Sequence, residues 1–364
     1  MKIKEIVNVL EAVAPRDYQE GYDNSGLLTG DPSWEVSGIL TSLDCTEEIV
    51  EEALNQKANL IVAHHTVIFK GLKSITGKNY VERTVLKAIK HDIAIYAIHT
   101  NLDNVHTGVN KKIADKIGLT NLQLLQARTD TLLKLVTFIP PDHVDQVMSR
   151  LHNAGAGNIG EYKQCSFRTD GTGTFLPTGS AQPHTGTLNQ LEKVNEIRVE
   201  VILPTVVQHG VIAALKDAHP YEEVAYYLQP LANSNQEVGV GMMGDLPEPE
   251  EPMAFLKRLK DCLQTNCIRH TALVNRPIKK VAVCGGAGSF LLNKAISTGA
   301  DVFVSADFKY HEFFDADGKI TIADVGHYES EQFTKELLAA VLKEKFPNFA
   351  INFSKRVTNP ISYL

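Results

Sequence analysis

Short apolar runs alternate with helical patterns along the first part of the chain, and this alternation restricts the fold more than any other feature. Residues 39–43, 59–63 and 93–98 are apolar runs typical of strands, and residues 46–56 and 79–90 carry apolar positions at helical spacing. Strands that alternate with helices predict a largely parallel sheet. In such sheets, functional residues collect just beyond the carboxyl ends of the strands.

The middle section has a different order of predicted strands and helices, and the last section resembles the first. The middle section predicts strand, helix, hairpins with loop, strand, helix and strand at residues 132–139, 142–153, 155–183, 197–203, 205–218 and 223–229. This order is typical of a ferredoxin-like α+β domain. The last section predicts strand, turn, helix, two strands and a terminal helix at residues 281–283, 285–289, 290–298, 300–305, 320–325 and 329–345.

An internal echo links the two outer sections. Residues 39–63 overlay residues 281–305 without a gap, so that strand falls on strand and helix on helix. We therefore predict an α/β protein of two similar lobes with mixed, largely parallel sheets that meet at a shared cleft. The predicted domains are a first lobe at 1–127, an inserted ferredoxin-like domain at 128–232 and a second lobe at 233–364.

Composition and charge exclude several classes of protein. The chain is 43% hydrophobic and 22% charged, which is ordinary for a globular protein, and its net charge of -7 makes nucleic acid an unexpected partner. Five scattered cysteines without a Cys-x-x-Cys pair favour a reducing compartment. No signal peptide or apolar run of membrane-spanning length is found. We expect a cytoplasmic protein that has no membrane partner.

A set of metal-binding side chains follows the predicted strands. His64 and His65 come directly after one strand and Asp103 follows the next, whereas His327 and Glu331 share one face at the start of the predicted terminal helix. Neighbouring imidazoles at a strand end can each reach a different ion, and a carboxylate can bridge two. The sequence therefore predicts two divalent metal ions per subunit, with zinc as the first choice and iron, manganese or cobalt as alternatives.

Each element of this set has an ordinary structural explanation when taken alone. A histidine pair at a strand end is more often structural, and His-x-x-x-Glu on a helix is a common surface pair. The prediction depends on their combination at matching strand ends. His99 stays open between three roles, which are a partner that orients a ligand, an acid–base group that faces the substrate, and a sixth ligand.

Several motifs together resemble a known family. They are NLIVAHHTVIF (59–69), HTNLD (99–103), VCGGAG (283–288), GHYESE (326–331) and YDNSGLLTG (22–30). These segments look like the GTP cyclohydrolase I type 2 homologues, the Nif-three-like family of dinuclear-metal proteins. The resemblance covers both outer sections. One departure is Thr66, where the family usually has a proline that would stiffen the loop.

The resemblance carries its own expectations. It implies metal ligands at His64, His65, Asp103, His327 and Glu331, with Glu331 bridging, and it implies a toroidal homohexamer. The inserted domain, which contains HPYEE (219–223), resembles the PII/CutA-like insert of the longer members.

Other segments allow more than one interpretation. The glycine-rich residues 284–289 could bind a phosphate through backbone N–H groups or form only a tight turn. The residues that follow the strand at 300–305 are expected near the cleft as substrate contacts, or otherwise at the surface: Asp307, Lys309, Tyr310 and His311. Asp23 and Asn24 either fix their loop or line the cleft.

The leading functional hypothesis is a metal-dependent hydrolase acting on a nucleotide-like small molecule. The family name suggests a cyclohydrolase that opens the imidazole ring of guanine, with His99 as the catalytic proton shuttle. Phosphoester hydrolysis is the second choice for an enzyme. The alternatives from other classes are a regulatory ligand-binding ring protein and a metal-handling protein whose ions are cargo.

Overall fold

The computed structural model describes all residues from 1 to 364, and they divide into two compact units. The outer unit consists of residues 1–127 and 237–364, and the inserted unit of residues 128–236. Within the inserted unit, the Asn235 side chain donates a hydrogen bond of 3.0 Å to Thr131 Oγ1. No helix has the length and apolar character needed to cross a membrane.

The chain forms fifteen strands and eleven α-helices. The strands are β1 (Gly26–Thr29), β2 (Ile39–Ser42), β3 (Leu60–Ala63), β4 (Ala94–Ala97), β5 (Thr120–Arg128), β6 (Leu132–Ile139), β7 (Phe167–Phe175), β8 (Glu192–Pro204), β9 (Tyr226–Pro230), β10 (Asn235–Glu250), β11 (Arg269–His270), β12 (Ile278–Ala287), β13 (Val302–Ala306), β14 (Thr321–Asp324) and β15 (Ile351–Phe353). The helices are α1 (Ile3–Val13), α2 (Glu47–Asn55), α3 (Tyr80–Lys90), α4 (Thr100–Asp103), α5 (Val109–Ile117), α6 (Val144–Asn153), α7 (Gln208–Ala218), α8 (Pro252–Cys262), α9 (Leu292–Ser297), α10 (His327–Glu331) and α11 (Thr334–Lys345).

Two mixed sheets form the outer unit, and each is built around a set of parallel strands, four in the first lobe and three in the second. The first lobe has the order β1-β4-β3-β2-β15, with β2, β3, β4 and β15 parallel and β1 antiparallel to β4. The second lobe has the order β11-β14-β13-β12-β10-β5, with β12, β13 and β14 parallel and β11 antiparallel to β14. The predicted α/β class with mixed sheets is confirmed.

The segments that echo each other in the sequence form matching elements. In the first lobe, β2, α2 and β3 follow one another, and in the second lobe β12, a short 3₁₀ turn with α9, and β13 do the same. Both inner strands β3 and β13 are buried along their whole length. Strands buried on both faces consist almost entirely of apolar residues, which is why these segments were found in the sequence.

Each lobe takes one edge strand from the opposite half of the chain. Strand β5 lies next to β10 in the second lobe, although it precedes the inserted unit, and β15 pairs with β2 through Ile351 and Ile39. The lobes are therefore not continuous along the sequence in the way that the ranges 1–127 and 233–364 suggested. Hydrogen bonding along the open edge of each sheet determines which strand pairs there. The spacing of apolar residues in the sequence does not predict this pairing.

Two predicted elements need correction. The terminal helix expected at 329–345 is divided into α10 and α11, and Phe333 between them is buried beneath Lys116, whose Nζ lies 3.9 Å from the ring centroid. The segment 285–289, expected to be a turn, begins within β12, which has an irregular register between Val283 and Ala287 and ends at Ala287. Only Ser289 belongs to a turn, the 3₁₀ turn at Ser289–Leu291.

The inserted unit is a four-stranded antiparallel sheet with two helices. Its order is β7-β8-β6-β9, and the elements follow one another as β6, α6, β7, β8, α7 and β9. Both helices cover one face of the sheet, where they bury Val199, Val201 and Leu203 of β8. The strand-helix order predicted for the middle section is therefore present.

Candidate metal centre

The five predicted ligands come together where the two lobes of the outer unit meet. His64 and His65 follow the last residue of β3, and Asp103 ends α4, the short helix after β4. His327 and Glu331 begin and end α10, which follows β14. All five therefore extend from the carboxyl ends of parallel strands, as the sequence predicted.

One oxygen of Glu331 is the geometric centre of the cluster. Its Oε2 atom lies 2.9 Å from His65 Nε2, 3.1 Å from His327 Nε2 and 4.0 Å from His64 Nε2. The Nε2 atoms of His65 and His327 are only 3.4 Å apart. The two imidazoles approach the same carboxylate from different lobes. Glu331 therefore lies between a side chain of the first lobe and one of the second.

A second group of atoms faces His64. Its Nε2 lies 3.6 Å from Asp103 Oδ1, and both atoms are buried without a hydrogen-bond partner. A buried polar atom that lacks a partner costs about 1–3 kcal/mol. Two such atoms that point at one point in space, one a nitrogen lone pair and the other a carboxylate oxygen, are a donor set that suits a divalent cation.

Every histidine of the cluster is held by its other ring nitrogen. The Nδ1 atoms of His64, His65, His99 and His327 lie within 2.9 Å of a backbone carbonyl or a carboxylate oxygen, and those partners belong to Ile98, Asp44, Asp23 and Asp307 respectively. Donation from Nδ1–H leaves Nε2 directed at the centre. Metal-binding histidines are usually oriented in this way.

The histidines of the cluster have pKa values that are shifted in opposite directions. Burial lowers the pKa of His64 to about 3, so this imidazole is neutral. Burial also opposes a charge on His65 and His327, but their carboxylate partners outweigh it and raise their pKa values to about 9 and about 11.

The two carboxylates of the cluster behave differently from each other. Burial, together with the charge of Glu331, raises the pKa of Asp103 well above its ordinary value. For Glu331, the charge and hydrogen bond of His327 outweigh burial, and its pKa is held well below its ordinary value. Two carboxylates in one buried site repel each other unless a cation lies between them.

A glycine makes room for the central carboxylate. Gly286 has φ +59°, and a Cβ atom there would lie 2.6 Å from Glu331 Oε1 and 3.1 Å from His327 Cε1. The Gly286 N–H donates to Ser330 Oγ at 3.0 Å, and the Gly285 N–H donates to Asn110 Oδ1 at 3.0 Å. Both backbone donors have partners within the protein, so neither N–H group is free to bind a phosphate.

The side chains that could hold a metal ion form three overlapping groups. They are His64 with Asp103 and Glu331, His65 with His327 and Glu331, and His64 with His65 and His99, and within each group the ligand atoms lie within 4.8 Å of one another. These groups combine imidazole nitrogens with carboxylate oxygens, and such a donor set fits metal binding. Glu331 belongs to two of the three groups.

The other candidate residues have different positions. Asp307 hydrogen-bonds His327, whereas Lys309, Tyr310 and His311 are exposed, and Tyr310 and His311 pack against Phe314 at the surface. The structure therefore brings only the first of these four to the cluster.

Asp23 both fixes its own loop and supports the site. It accepts hydrogen bonds from the Ser25 hydroxyl, from His99 Nδ1 and from the backbone and hydroxyl of Thr100. Burial opposes its charge, but the hydrogen bonds from His99 and Thr100 outweigh burial and hold its pKa well below the ordinary range. The Asn24 side chain donates to the Ile68 carbonyl at 2.7 Å, so it anchors the loop. The Thr66 hydroxyl also reaches the Ile68 carbonyl, at 3.4 Å.

The sequence interpretation overlooked Asp44. It lies just beyond the carboxyl end of β2, where the rule used for the histidines would have pointed to it. Its Oδ1 lies 2.8 Å from His65 Nδ1, and its Oδ2 accepts a hydrogen bond from Thr358. Asp44 forms no recognisable motif with its neighbours in the sequence. Only its place after a predicted strand indicates a functional role.

Known proteins resemble this chain over its whole length. The family model described as Duf34/NIF3 (NGG1p interacting factor 3) matches residues 1–360. A protein of Halalkalibacterium halodurans named GTP cyclohydrolase 1 type 2 homolog is 39% identical over 99% of this chain and 98% of its own length, and one of the same name from Bacillus subtilis is 36% identical over the same shares. The crystal structure of a Bacillus cereus protein related to NIF3 matches with a TM-score of 0.88 at 37% identity, covering 100% of this chain and 99% of the other.

Proposed function

This chain belongs to the Duf34/NIF3 family, and we propose that it binds two divalent metal ions and hydrolyses a nucleotide-like substrate at them. The observation that carries the proposal is the shared position of Glu331 Oε2. This atom lies near His65 and His327 on one side and near the His64–Asp103 pair on the other. We assign one ion to His64, Asp103 and Glu331, and the other to His65, His327 and Glu331.

The donor set narrows the choice of metal. Three imidazoles and two carboxylates suit zinc, with iron, manganese and cobalt as alternatives, and disfavour calcium and magnesium, which prefer oxygen ligands. Metal ions at such a site, when bound, polarise a substrate and supply hydroxide near neutral pH.

His99 is the residue we propose for proton transfer. Its Nδ1 is held by Asp23 at 2.9 Å, and its ring lies 5.3 Å from the His64 ring and 5.4 Å from the His65 ring. The carboxylate of Asp23 fixes the tautomer, which leaves Nε2 as a proton acceptor beside the cluster. His99 thus has the orientation required of a general base.

The choice of substrate depends on the relatives. Those relatives are named as homologues of a GTP cyclohydrolase, which favours a nucleotide-like substrate over other small molecules. Hydrolytic opening of the guanine ring is our first choice, and phosphoester hydrolysis is the second. The exposed side of the cluster favours an enzyme over a closed storage site, because His327 remains 36% exposed.

Three further expectations complete the proposal. We propose that six copies form a ring, that the protein works in the cytoplasm, and that the inserted unit is a ferredoxin-like domain of the PII/CutA kind. The strand order β7-β8-β6-β9 supports the last of these. Light scattering on the purified protein tests the ring, which requires a mass six times that of the single chain.

Metal analysis paired with a nucleotide-hydrolysis screen tests the central proposal. Protein purified without chelator should contain about two metal equivalents per chain and should turn over at least one guanine nucleotide. His99→Gln should reduce turnover by about 10²–10⁴-fold without changing the metal content. Two metal equivalents with no turnover of any nucleotide would leave the metal centre in place and reject the hydrolase, in favour of metal handling or ligand sensing.

A further inference from the structure

The sheet of the inserted unit has two faces of different character. Helices α6 and α7 cover one face, and the segments 176–184 and 221–223 close over part of the other. Between these segments and the sheet lies a cavity of about 660 Å³. This volume falls within the range of pockets that hold small ligands, roughly 300–1,000 Å³. We call this cavity the insert pocket.

Aromatic rings line the insert pocket without belonging to the core. Phe138 and Tyr227 are in edge-to-face contact with ring centroids 6.0 Å apart, and Phe175 and Tyr221 lie 6.4 Å apart. Tyr227 is 59% exposed. The buried core of the unit lies on the opposite face of the sheet, so packing of the fold does not explain these rings. Aromatic surface left open in a concave site is a feature of ligand pockets.

A carboxylate lies on the floor of the insert pocket. The Glu196 side chain lies over Gly173, and a Cβ atom at that glycine would collide with its carboxylate. The Tyr221 hydroxyl faces Glu196, and burial together with this negative charge raises the pKa of Tyr221 to about 12. The glycine thus allows a charged group to approach the sheet beneath the aromatic rings.

The single guanidinium in the lining is paired with a carboxylate that lies outside the lining. Arg198 donates to Glu200 Oε1 from Nε at 3.0 Å and from Nη2 at 2.8 Å. The remaining charged groups of the lining are the carboxylates of Asp170, Glu196, Glu222 and Glu223. The insert pocket therefore combines aromatic faces with excess negative charge.

We propose that the insert pocket binds an organic ammonium ion that carries an aromatic or extended apolar body. The faces of aromatic rings attract cations, and a carboxylate on the floor supplies the opposite charge. A neutral molecule of the same shape gains only the apolar contacts, and an anion is repelled. This site is separate from the metal cluster and does not depend on the function proposed for it.

Three indoles of nearly equal shape test the charge requirement. The probes are tryptamine, which is a cation, tryptophol, which is neutral, and indole-3-acetate, which is an anion. Isothermal titration into the full-length protein should show that tryptamine binds at least about tenfold more tightly than tryptophol, with indole-3-acetate weakest. Equal affinities for tryptamine and tryptophol, tightest binding of indole-3-acetate, or no binding of any probe would each overturn the proposal.

Variants locate the binding within the insert pocket. Glu196→Gln should weaken tryptamine about tenfold and leave tryptophol unchanged, because it removes only the charge. Tyr227→Ala should weaken both probes. Because this side chain is exposed, the substitution should leave the fold intact, which thermal melting checks. Glu161→Gln, an exposed carboxylate outside the lining, is the matched control. Tryptamine binding that is unchanged in both Glu196→Gln and Tyr227→Ala would place the site elsewhere and contradict the assignment.

Discussion

The two lobes of the outer unit use the same strand ends for different purposes. After β3, the first lobe provides His65 as a candidate ligand, and at the matching position after β13 the second lobe provides Asp307, which orients His327. After β2, the first lobe has Asp44, which orients His65, and the second lobe has Gly286, which makes room for Glu331. The ends of the strands therefore determine where functional side chains lie. The residue type at each position determines whether that side chain is a candidate metal ligand or orients one.

Removal of the shared carboxylate should have the largest effect, because both lobes depend on it. Glu331→Gln takes the central anionic oxygen from both proposed ions, and we expect affinity for both to fall by more than about 100-fold, beyond the loss typical of orienting residues. Elemental analysis of protein purified without chelator should find less than one metal equivalent per chain. Retention of one tightly held equivalent would show that Glu331 serves only one lobe.

Gly286→Ala tests the space that the second lobe reserves for Glu331. The added Cβ would meet Glu331 Oε1 at 2.6 Å, so we expect loss of metal together with a destabilisation of about 1–3 kcal/mol. Gly318→Ala is the matched control, since it has φ +66° and no neighbouring atom within 4 Å. The control should lose some stability in denaturant unfolding but keep its metal. Equal metal loss in both variants would assign the effect to backbone strain and not to space.

The orienting carboxylates should have smaller and more selective effects. Asp44→Asn and Asp307→Asn each weaken the hold on a histidine of the same proposed ion, and we expect about 10–100-fold lower affinity for that ion alone. Asp23→Asn, which acts on His99, should lower turnover and leave both metal affinities unchanged. Metal titration against a competing chelator distinguishes these outcomes. Equal losses of metal affinity from all three substitutions would remove the distinction between the carboxylates that orient proposed ligands and the one that orients His99.

For a change of one pH unit, the pH dependence of metal binding should be the mildest effect. In the metal-free protein, the pKa of His65 is raised to about 9, so an ion must displace its proton at neutral pH. Affinity should therefore rise by up to about tenfold per pH unit as this proton is lost, from about pH 6.5 towards about 9. Chelator competition across this range provides the measurement, and a flat profile would mean that His65 binds no metal.

Protonation of His65 opposes metal binding, but it stabilises the metal-free fold. A raised imidazole pKa stabilises the folded state fully below the ordinary value of 6.5, and this contribution is lost as the pH rises through about 9. His64, whose pKa is lowered to about 3, instead favours the folded state above 6.5 and costs stability as the pH falls below it. His64 and His65 therefore respond to pH with opposite signs.

The fold around the cluster could be predicted where strands are buried on both faces. Runs such as residues 59–63 are apolar throughout, and the rule about carboxyl ends of strands then brings His64 and His65 towards Asp103. Strand β10 was missed because its sequence contains three glycines and two prolines, which have low strand propensity. Tertiary pairing with β12 overrides this local preference.

The position of Asp44 after β2 could be predicted, but the pairings that orient the ligands could not. Asp44 pairs with His65 and also with Thr358, which is far away in the sequence, and no periodic pattern connects them. The break between α10 and α11 likewise has no glycine or proline to mark it, because the packing of Phe333 determines it. Spacing reports local geometry, whereas these features arise from packing between distant segments.

The pairing of β15 with β2 has a consequence for the order of biosynthesis. Proteins emerge from the ribosome with their amino-terminal part first, so His64 and His65 are exposed to the cell before Glu331 exists. The edge of the first sheet stays open until residues 351–353 are added, and Asp44 gains Thr358 only after that. Assembly of the candidate metal centre is therefore a late event, and a nascent chain stalled before this point is an incomplete sheet with an open edge.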